Sequence, residues 1–259
     1  MTTDLDVSVT GEGRTVIWTH GLTSSRAGED EARMFPWPDL GVARWVRYDA
    51  RGHGRSSAPT SDDDCRWDRL ATDLFAVADA VGADRFIAGG ASMGCATSLH
   101  AVYQHPERID GLLLVIPPTA WGTRRAQVDQ YLHGAALLDA GDIDGYLASL
   151  DEALLPPMFA EWADQVRQAR REQLADADLP SLARVLRAAG ASDLPPLEAF
   201  QRVAVPTLIL AWAGDPGHPV STAEALAGTI PHAELFVADT VTDVFAWRDR
   251  VAAWLATVD

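Results

Sequence analysis

The residues best placed to do chemistry fall in one octet, Gly89-Gly90-Ala91-Ser92-Met93-Gly94-Cys95-Ala96. Within it, Gly90-x-Ser92-x-Gly94 has the spacing of a nucleophile elbow, a serine held at the apex of a sharp strand-to-helix turn. The backbone at such an apex is strained. A Cβ two residues before or after it would collide with neighbouring backbone, so glycine is needed at both positions. The turn lifts Ser92 Oγ clear of the strand and leaves the N–H of Met93, at a helix N-terminus, free to meet an oxyanion. Together these groups have the chemistry of acyl transfer, with a hydroxyl attacking a carbonyl whose oxygen gathers charge. Cys95 reads as a small buried hydrophobe rather than a second nucleophile.

The elements that must position this octet are legible around it. Residues 84–88 form a short apolar run that reads as a buried strand, and 97–103 read as a helix ending near His105-Pro106, where proline cannot continue it. Strand signals recur at 5–9 and 14–19 (joined by Gly11-Glu12-Gly13), 43–48, 111–116, 207–212 and 233–238. Helical spacing of apolar residues marks 67–81, closing at Gly82, and 244–258. Residues 221–229 predict a helix with Ser221 as N-cap and Glu224 completing a capping box. Between 118 and 191 the pattern is helical without strands, with candidate helices at 123–140, 143–153, 157–174 and 179–189. Strands alternating with helices predict an α/β fold, a mostly parallel doubly wound sheet with helices on both faces.

Three motifs stand in order along the chain. They are His20-Gly21 at a strand end, Asp49-x-Arg51-Gly52-x-Gly54-x-Ser56, and Gly90-x-Ser92-x-Gly94. In this order and at these separations they resemble the α/β-hydrolase superfamily over nearly the whole chain. The resemblance implies a core of residues 1–117 and 192–259, with 118–191 inserted as a helical cap over the pocket. It implies a second oxyanion donor at the backbone N–H of Leu22. His20 then braces its loop and His53 belongs to a structural turn. The cap residues Trp121, Tyr131, Tyr146, Met158, Phe159 and Trp162 are candidates to line an apolar acyl or ring pocket, or to pack cap against core. A serine at the elbow argues against the dehalogenase and epoxide-hydrolase branches, which use aspartate there. No cofactor and no metal are expected.

The family's chain order is nucleophile, acid, histidine. Asp215 matches the acid, just past an apolar strand and before Pro216. The family histidine belongs in the loop after the last strand, yet 239–245 reads Asp-Thr-Val-Thr-Asp-Val-Phe, with Thr242 near the expected place. Of the seven histidines, His218 is the best substitute. It follows Asp215 by three residues in a loop stiffened by Pro216 and Pro219. The expectation is a relocated triad of Ser92, His218 and Asp215, with Asp239 or Asp243 as alternative orienting carboxylates. His133 and His232 are weaker candidates for the base, and His100 and His105 read as packing or surface residues. Two other readings stay open: a silent binding protein that has shed its base, and a lyase, cyclase or acyltransferase on the same scaffold.

Composition narrows the partners. The chain of 259 residues is 47% hydrophobic and 22% charged, with 21 Lys+Arg against 37 Asp+Glu and a net charge of -16. Bulk charge of that sign argues against nucleic acid and anionic membrane surfaces. Two cysteines cannot build a disulfide framework, the first residues show no secretory signal, and no apolar run is long enough to span a bilayer. A cytoplasmic enzyme with a small-molecule substrate, cleaving an ester, thioester or lactone, is the expectation.

Overall fold

A computed structural model describes residues 4–150 and 155–258. The strands are β1 Val7–Thr10, β2 Thr15–Thr19, β3 Arg44–Tyr48, β4 Phe86–Ala91, β5 Ile109–Val115, β6 Thr207–Trp212 and β7 Ala233–Ala238. They form one sheet in the order β1-β3-β2-β4-β5-β6-β7. Every pair is parallel except β1 with β3. The central strands β4, β5 and β6 are near-continuous apolar runs because helices cover both of their faces. Core residues divide accordingly into one cluster on each side of the sheet.

The helices are α1 Arg26–Ala32, α2 Trp67–Ala80, α3 Met93–Gln104, α4 Arg125–Asp139, α5 Ile143–Ser149, α6 Ala163–Ala175, α7 Leu179–Gly190, α8 Val220–Thr229, α9 Val241–Phe245 and α10 Trp247–Leu255. α2 buries Leu70, Leu74, Val77 and Ala78, the stripe its sequence spacing predicts. The segment between β5 and β6 carries α4 to α7 and no strand among the described residues. Leu138, Tyr146, Leu147, Leu174, Leu182 and Leu186 give these helices a small core of their own.

Several local expectations are corrected. Gly11-Glu12-Gly13 joins β1 to β2 as expected, but the two strands do not pair, because β3 lies between them. Gly11 instead packs on the start of β3: at φ +75°, a Cβ there would stand 2.3 Å from the Ala43 carbonyl oxygen. α8 begins at Val220 with Pro219 as N-cap and no side-chain cap bond, so Ser221 and Glu224 form no capping box. The fixed φ of proline already sets the entry to the helix. The capping box forms at the other end of β7, where Thr240 and Asp243 start α9 and split the predicted terminal helix in two. The predicted helix at 157–174 opens as a 3-10 turn, Pro157–Trp162, before α6. In the predicted helix at 143–153, α5 ends at Ser149, and residues 151–153 lie outside the described residues.

Candidate active site

β4 runs into α3 through Ser92, which takes φ 52° and ψ −108°. Both flanking glycines are obligatory. A Cβ at Gly90 would stand 2.5 Å from Thr19 O, and one at Gly94 would stand 2.0 Å from the same oxygen. Ser92 N is tied to Val115 O at 3.0 Å, anchoring the apex to β5. Gly21 packs beside the serine, since a Cβ on it would lie 3.7 Å from Ser92 Cβ. The N–H groups of Leu22 and Met93 are bonded to no acceptor among the described residues.

The His20–Ser25 loop is fastened by two buried histidines. His20 Nδ1 bonds Gly21 O at 2.8 Å, while its Nε2 accepts Ala50 N–H at 3.0 Å. His53 Nδ1 bonds Arg51 O at 3.0 Å, and its Nε2 accepts Thr23 N–H at 3.2 Å. Each ring is therefore the neutral Nδ1–H tautomer. Burial pushes the His20 pKa down to about 4. Burial, then the neighbouring His20, pushes that of His53 down to about 3. Asp49 completes the turn by accepting Arg26 N–H at 2.8 Å and Arg55 N–H at 3.0 Å.

Beyond β6, the tetrapeptide Asp215-Pro216-Gly217-His218 folds as a β-turn, with His218 N–H bonded to Asp215 O at 3.2 Å. Pro at the second position and Gly at the third suit such a turn, and it brings its first and fourth residues together. The Asp215 carboxylate accepts four hydrogen bonds. Gly217 N–H at 2.8 Å and His218 N–H at 3.2 Å reach Oδ1, while Trp212 Nε1–H at 2.9 Å and His218 Nδ1 at 2.8 Å reach Oδ2. Burial by itself would raise its pKa, but the bond and charge of His218, then Trp212 and Gly217, outweigh burial and hold it below the usual range. His218 Nε2 lies 2.7 Å from Ser92 Oγ. With Nδ1 facing a carboxylate, the ring proton sits on Nδ1 and Nε2 accepts from the serine hydroxyl.

The structure thus brings Ser92, His218 and Asp215 into one hydrogen-bonded line and leaves the other candidates apart. Asp243 is exposed and spends its carboxylate on Thr240 and Asp239 N–H, and Asp239 is exposed as well. His133 and His232 are exposed and do not line the pocket, His100 bonds Asp193 O, and His105 packs on Phe75. Cys95 is buried with its thiol pKa pushed up by that burial.

Ser92, Asp215 and His218 open into a pocket of about 600 Å³. Of the six aromatic and methionine candidates, Phe159 and Trp162 line it. Tyr131 and Tyr146 pack among the helices, Met158 packs against the core, and Trp121 Nε1 donates to Pro195 O. Sequence reasoning missed Trp212. Its indole forms a pocket wall, stacks on Trp247 at 5.9 Å and orients Asp215. A tryptophan closing a strand three residues before the acid was the available signal. Among the described residues, no group of three or more His, Cys, Asp or Glu is arranged to hold a metal, and no helix is long and apolar enough to cross a membrane.

A strained serine elbow and its histidine and carboxylate partners, on the carboxyl edge of this sheet, define the α/β-hydrolase class. Comparison with known proteins agrees. A family profile described as alpha/beta hydrolase fold matches residues 14–247, and the chain belongs to that family. The 3-oxoadipate enol-lactonase 2 of Acinetobacter baylyi is 28% identical over 192 residues, which is 74% of this chain and 69% of that protein. A proline iminopeptidase of Neisseria gonorrhoeae is 38% identical over 104 residues, 40% of this chain but only 32% of that longer protein. Among solved structures, the enol-lactonase of Burkholderia xenovorans LB400 superposes with a TM-score of 0.82 at 21% identity, covering 98% of this chain and 97% of that one. At that identity the likeness is one of fold.

Proposed function

We propose that this chain is a cofactor-independent serine hydrolase that cleaves a carboxylic ester, thioester or lactone through an acyl-enzyme. Ser92 is the nucleophile, His218 the general base and then acid, Asp215 its orienting carboxylate, and the N–H groups of Leu22 and Met93 the oxyanion donors. The observation that carries the reading is the approach of His218 Nε2 to Ser92 Oγ at 2.7 Å, with Nδ1 held on Asp215 at 2.8 Å. A serine hydroxyl needs such a base to be nucleophilic near neutral pH. Under this reading the silent binding protein loses its motive, since the position of the base is filled from another loop. The name of the Acinetobacter relative supports including ring-closed esters in the substrate class.

The chemistry follows from the geometry. Ser92 Oγ attacks the carbonyl carbon as its proton passes to His218 Nε2, and the negative oxygen meets the two backbone donors. Collapse of the adduct breaks the acyl–oxygen or acyl–sulfur bond, and His218 returns the proton to the leaving group. Water, deprotonated by His218, then releases the acid and restores Ser92. From a lactone, the freed hydroxyl stays tethered to the acyl-enzyme until that last step. Residues 118–191 are the cap in this reading, because Leu150, Phe159, Trp162, Val166 and Ala169 from that segment wall the pocket.

The test compares wild type, Ser92→Ala and His218→Ala on 4-nitrophenyl butyrate and a fluorophosphonate probe. The expected result is labelling of wild type alone and a loss of kcat of roughly 10³-fold or more in each variant. Full activity in His218→Ala would sink the relocated triad, and a wild type that neither labels nor turns over would sink the hydrolase.

A further inference from the structure

Among the described residues, the pocket holds a positive charge that neither the proposed triad nor the fold pairs with a carboxylate. A single face of α6 lines it, with Gln165, Val166, Ala169, Arg170 and Gln173 recurring every three to four residues. That face begins apolar beside Trp162 and becomes cationic at Arg170. The Arg170 guanidinium makes one hydrogen bond, from Nη1 to Thr23 Oγ1 at 3.3 Å, and no carboxylate among the described residues pairs with it. Other arginines drawn toward the interior have carboxylate or carbonyl partners. Arg47 meets Glu29 and Asp30, Arg51 meets Asp73, and Arg187 meets Asp62 and Asp139. Arg124, which meets no carboxylate among the described residues, donates to Ser192 O, Ala189 O, Thr119 Oγ1 and Tyr131 Oη. In a chain with 37 acidic residues against 21 basic ones, a half-buried guanidinium left with open donors in the pocket beside Ser92 calls for a ligand. The two glutamates of the same lining do not supply it: Glu29 is engaged by Trp18 and Arg47, and Glu31 is exposed.

We propose that Arg170 docks a carboxylate carried by the substrate, so that the substrates are esters or lactones bearing an acid a few atoms from the scissile carbonyl. This rests on the serine-hydrolase reading for the identity of the carbonyl, but not for the anion site. The spacing follows from chain geometry. Thr23 succeeds Leu22, the proposed oxyanion donor, so its hydroxyl lies within about 7 Å of Leu22 N. The further 3.3 Å to Arg170 Nη1 puts the guanidinium within about 10 Å of that donor. A gap no wider than that suits a substrate whose carboxylate lies a few atoms from its carbonyl, as in a succinyl or glutaryl chain, with a hydrogen bond of about 2.8 Å at each end. Gln173, which donates to Thr23 O at 3.3 Å, adds a second donor one turn further along α6. The apolar remainder of the substrate lies toward Trp162, Phe159 and Trp212.

The test is a charge preference. The kcat/KM for mono-4-nitrophenyl glutarate is divided by that for the neutral 4-nitrophenyl pentanoate, in wild type, Arg170→Met and Arg170→Lys. The expected result is a ratio about 10- to 100-fold lower in Arg170→Met, partly restored in Arg170→Lys, with the wild-type ratio falling as salt rises. A ratio that does not change in Arg170→Met overturns the proposal. Binding of the glutarate monoester to Ser92→Ala, against Ser92→Ala/Arg170→Met, reads the same site without turnover. Loss of binding in the double variant supports the anion site even if the wild type proves unable to hydrolyse esters, and equal binding in both refutes it.

Discussion

At the scale of single residues, the reactive line depends on where one carboxylate points. Asp215 receives four donors, two of them from the backbone of its own turn, so its lone pairs are fully directed. An asparagine there no longer selects the Nδ1–H tautomer of His218 nor stabilises the imidazolium that forms during attack. Asp215→Asn is expected to lower kcat by roughly 10³- to 10⁴-fold with little change in KM, measured on 4-nitrophenyl butyrate. Trp212→Phe makes a finer cut, removing one donor to Asp215 while keeping an aromatic ring against Trp247 and Phe159. Losing a donor disfavours the charged carboxyl, so its pKa rises from its lowered position. The titration of the Asp215 carboxyl then moves to higher pH, which its carboxyl chemical shift followed by NMR through a pH series on wild type and variant checks. Ser92 was legible from the residues on either side of it, and Asp215 through the family resemblance. For His218 the sequence shows only proximity, because reach depends on a turn whose ends converge.

At the scale of elements, the loop carrying Leu22 is held by two histidines that must stay neutral. A proton added to either Nε2 would face a backbone N–H that already points at it, from Ala50 or from Thr23. The unfolded chain takes up protons below about 6.5, whereas the folded chain resists until about 4 for His20 and about 3 for His53. The unfolded state therefore binds more protons across that window, and stability falls as pH drops from about 6.5 toward 4. The full effect is on the order of 3 kcal/mol for His20 and on the order of 5 kcal/mol for His53. His53→Gln keeps an acceptor for Thr23 without titrating. Urea unfolding at pH 7, 5.5 and 4.5 is expected to show a shallower decline for this variant than for wild type. Parallel declines would show that other groups set the acid limb. Strands and long helices were legible here because burial imposes periodicity. The Pro219 entry and the split at Ala246 were not, since both are decided by local caps competing within one short segment.

At the scale of the whole molecule, the same buried polar chemistry acts in the opposite direction at Glu29. Glu29 is buried beneath the pocket wall with Oε1 unpartnered, and burial raises its pKa to about 7 despite Arg47 and Trp18. The folded chain then keeps a proton that the unfolded chain releases above about 4.5, so stability falls as pH rises from 4.5 to 7 and levels off beyond. Glu29→Gln removes that loss and still serves Trp18 as an acceptor. It is expected to raise stability at pH 8 by on the order of 2 kcal/mol relative to its effect at pH 5, read by urea unfolding at both values. Together the histidine pair and Glu29 place the stability maximum on the weakly acid side of neutrality.

Sequence by itself determined the α/β architecture and the elbow, which are written in spacing over a few residues: recurring apolar runs, and glycines where a Cβ cannot fit. The acid candidate Asp215 and the bracing roles of His20 and His53 were legible only through the resemblance to the α/β-hydrolase superfamily. The order of strands in the sheet, the 2.7 Å meeting of His218 with Ser92, and the unpaired Arg170 beside Thr23 belong to tertiary structure alone. They join residues 126 and 147 positions apart in the chain. No local pattern encodes such a distance, because it is set only when the sheet and the helices over it pack together.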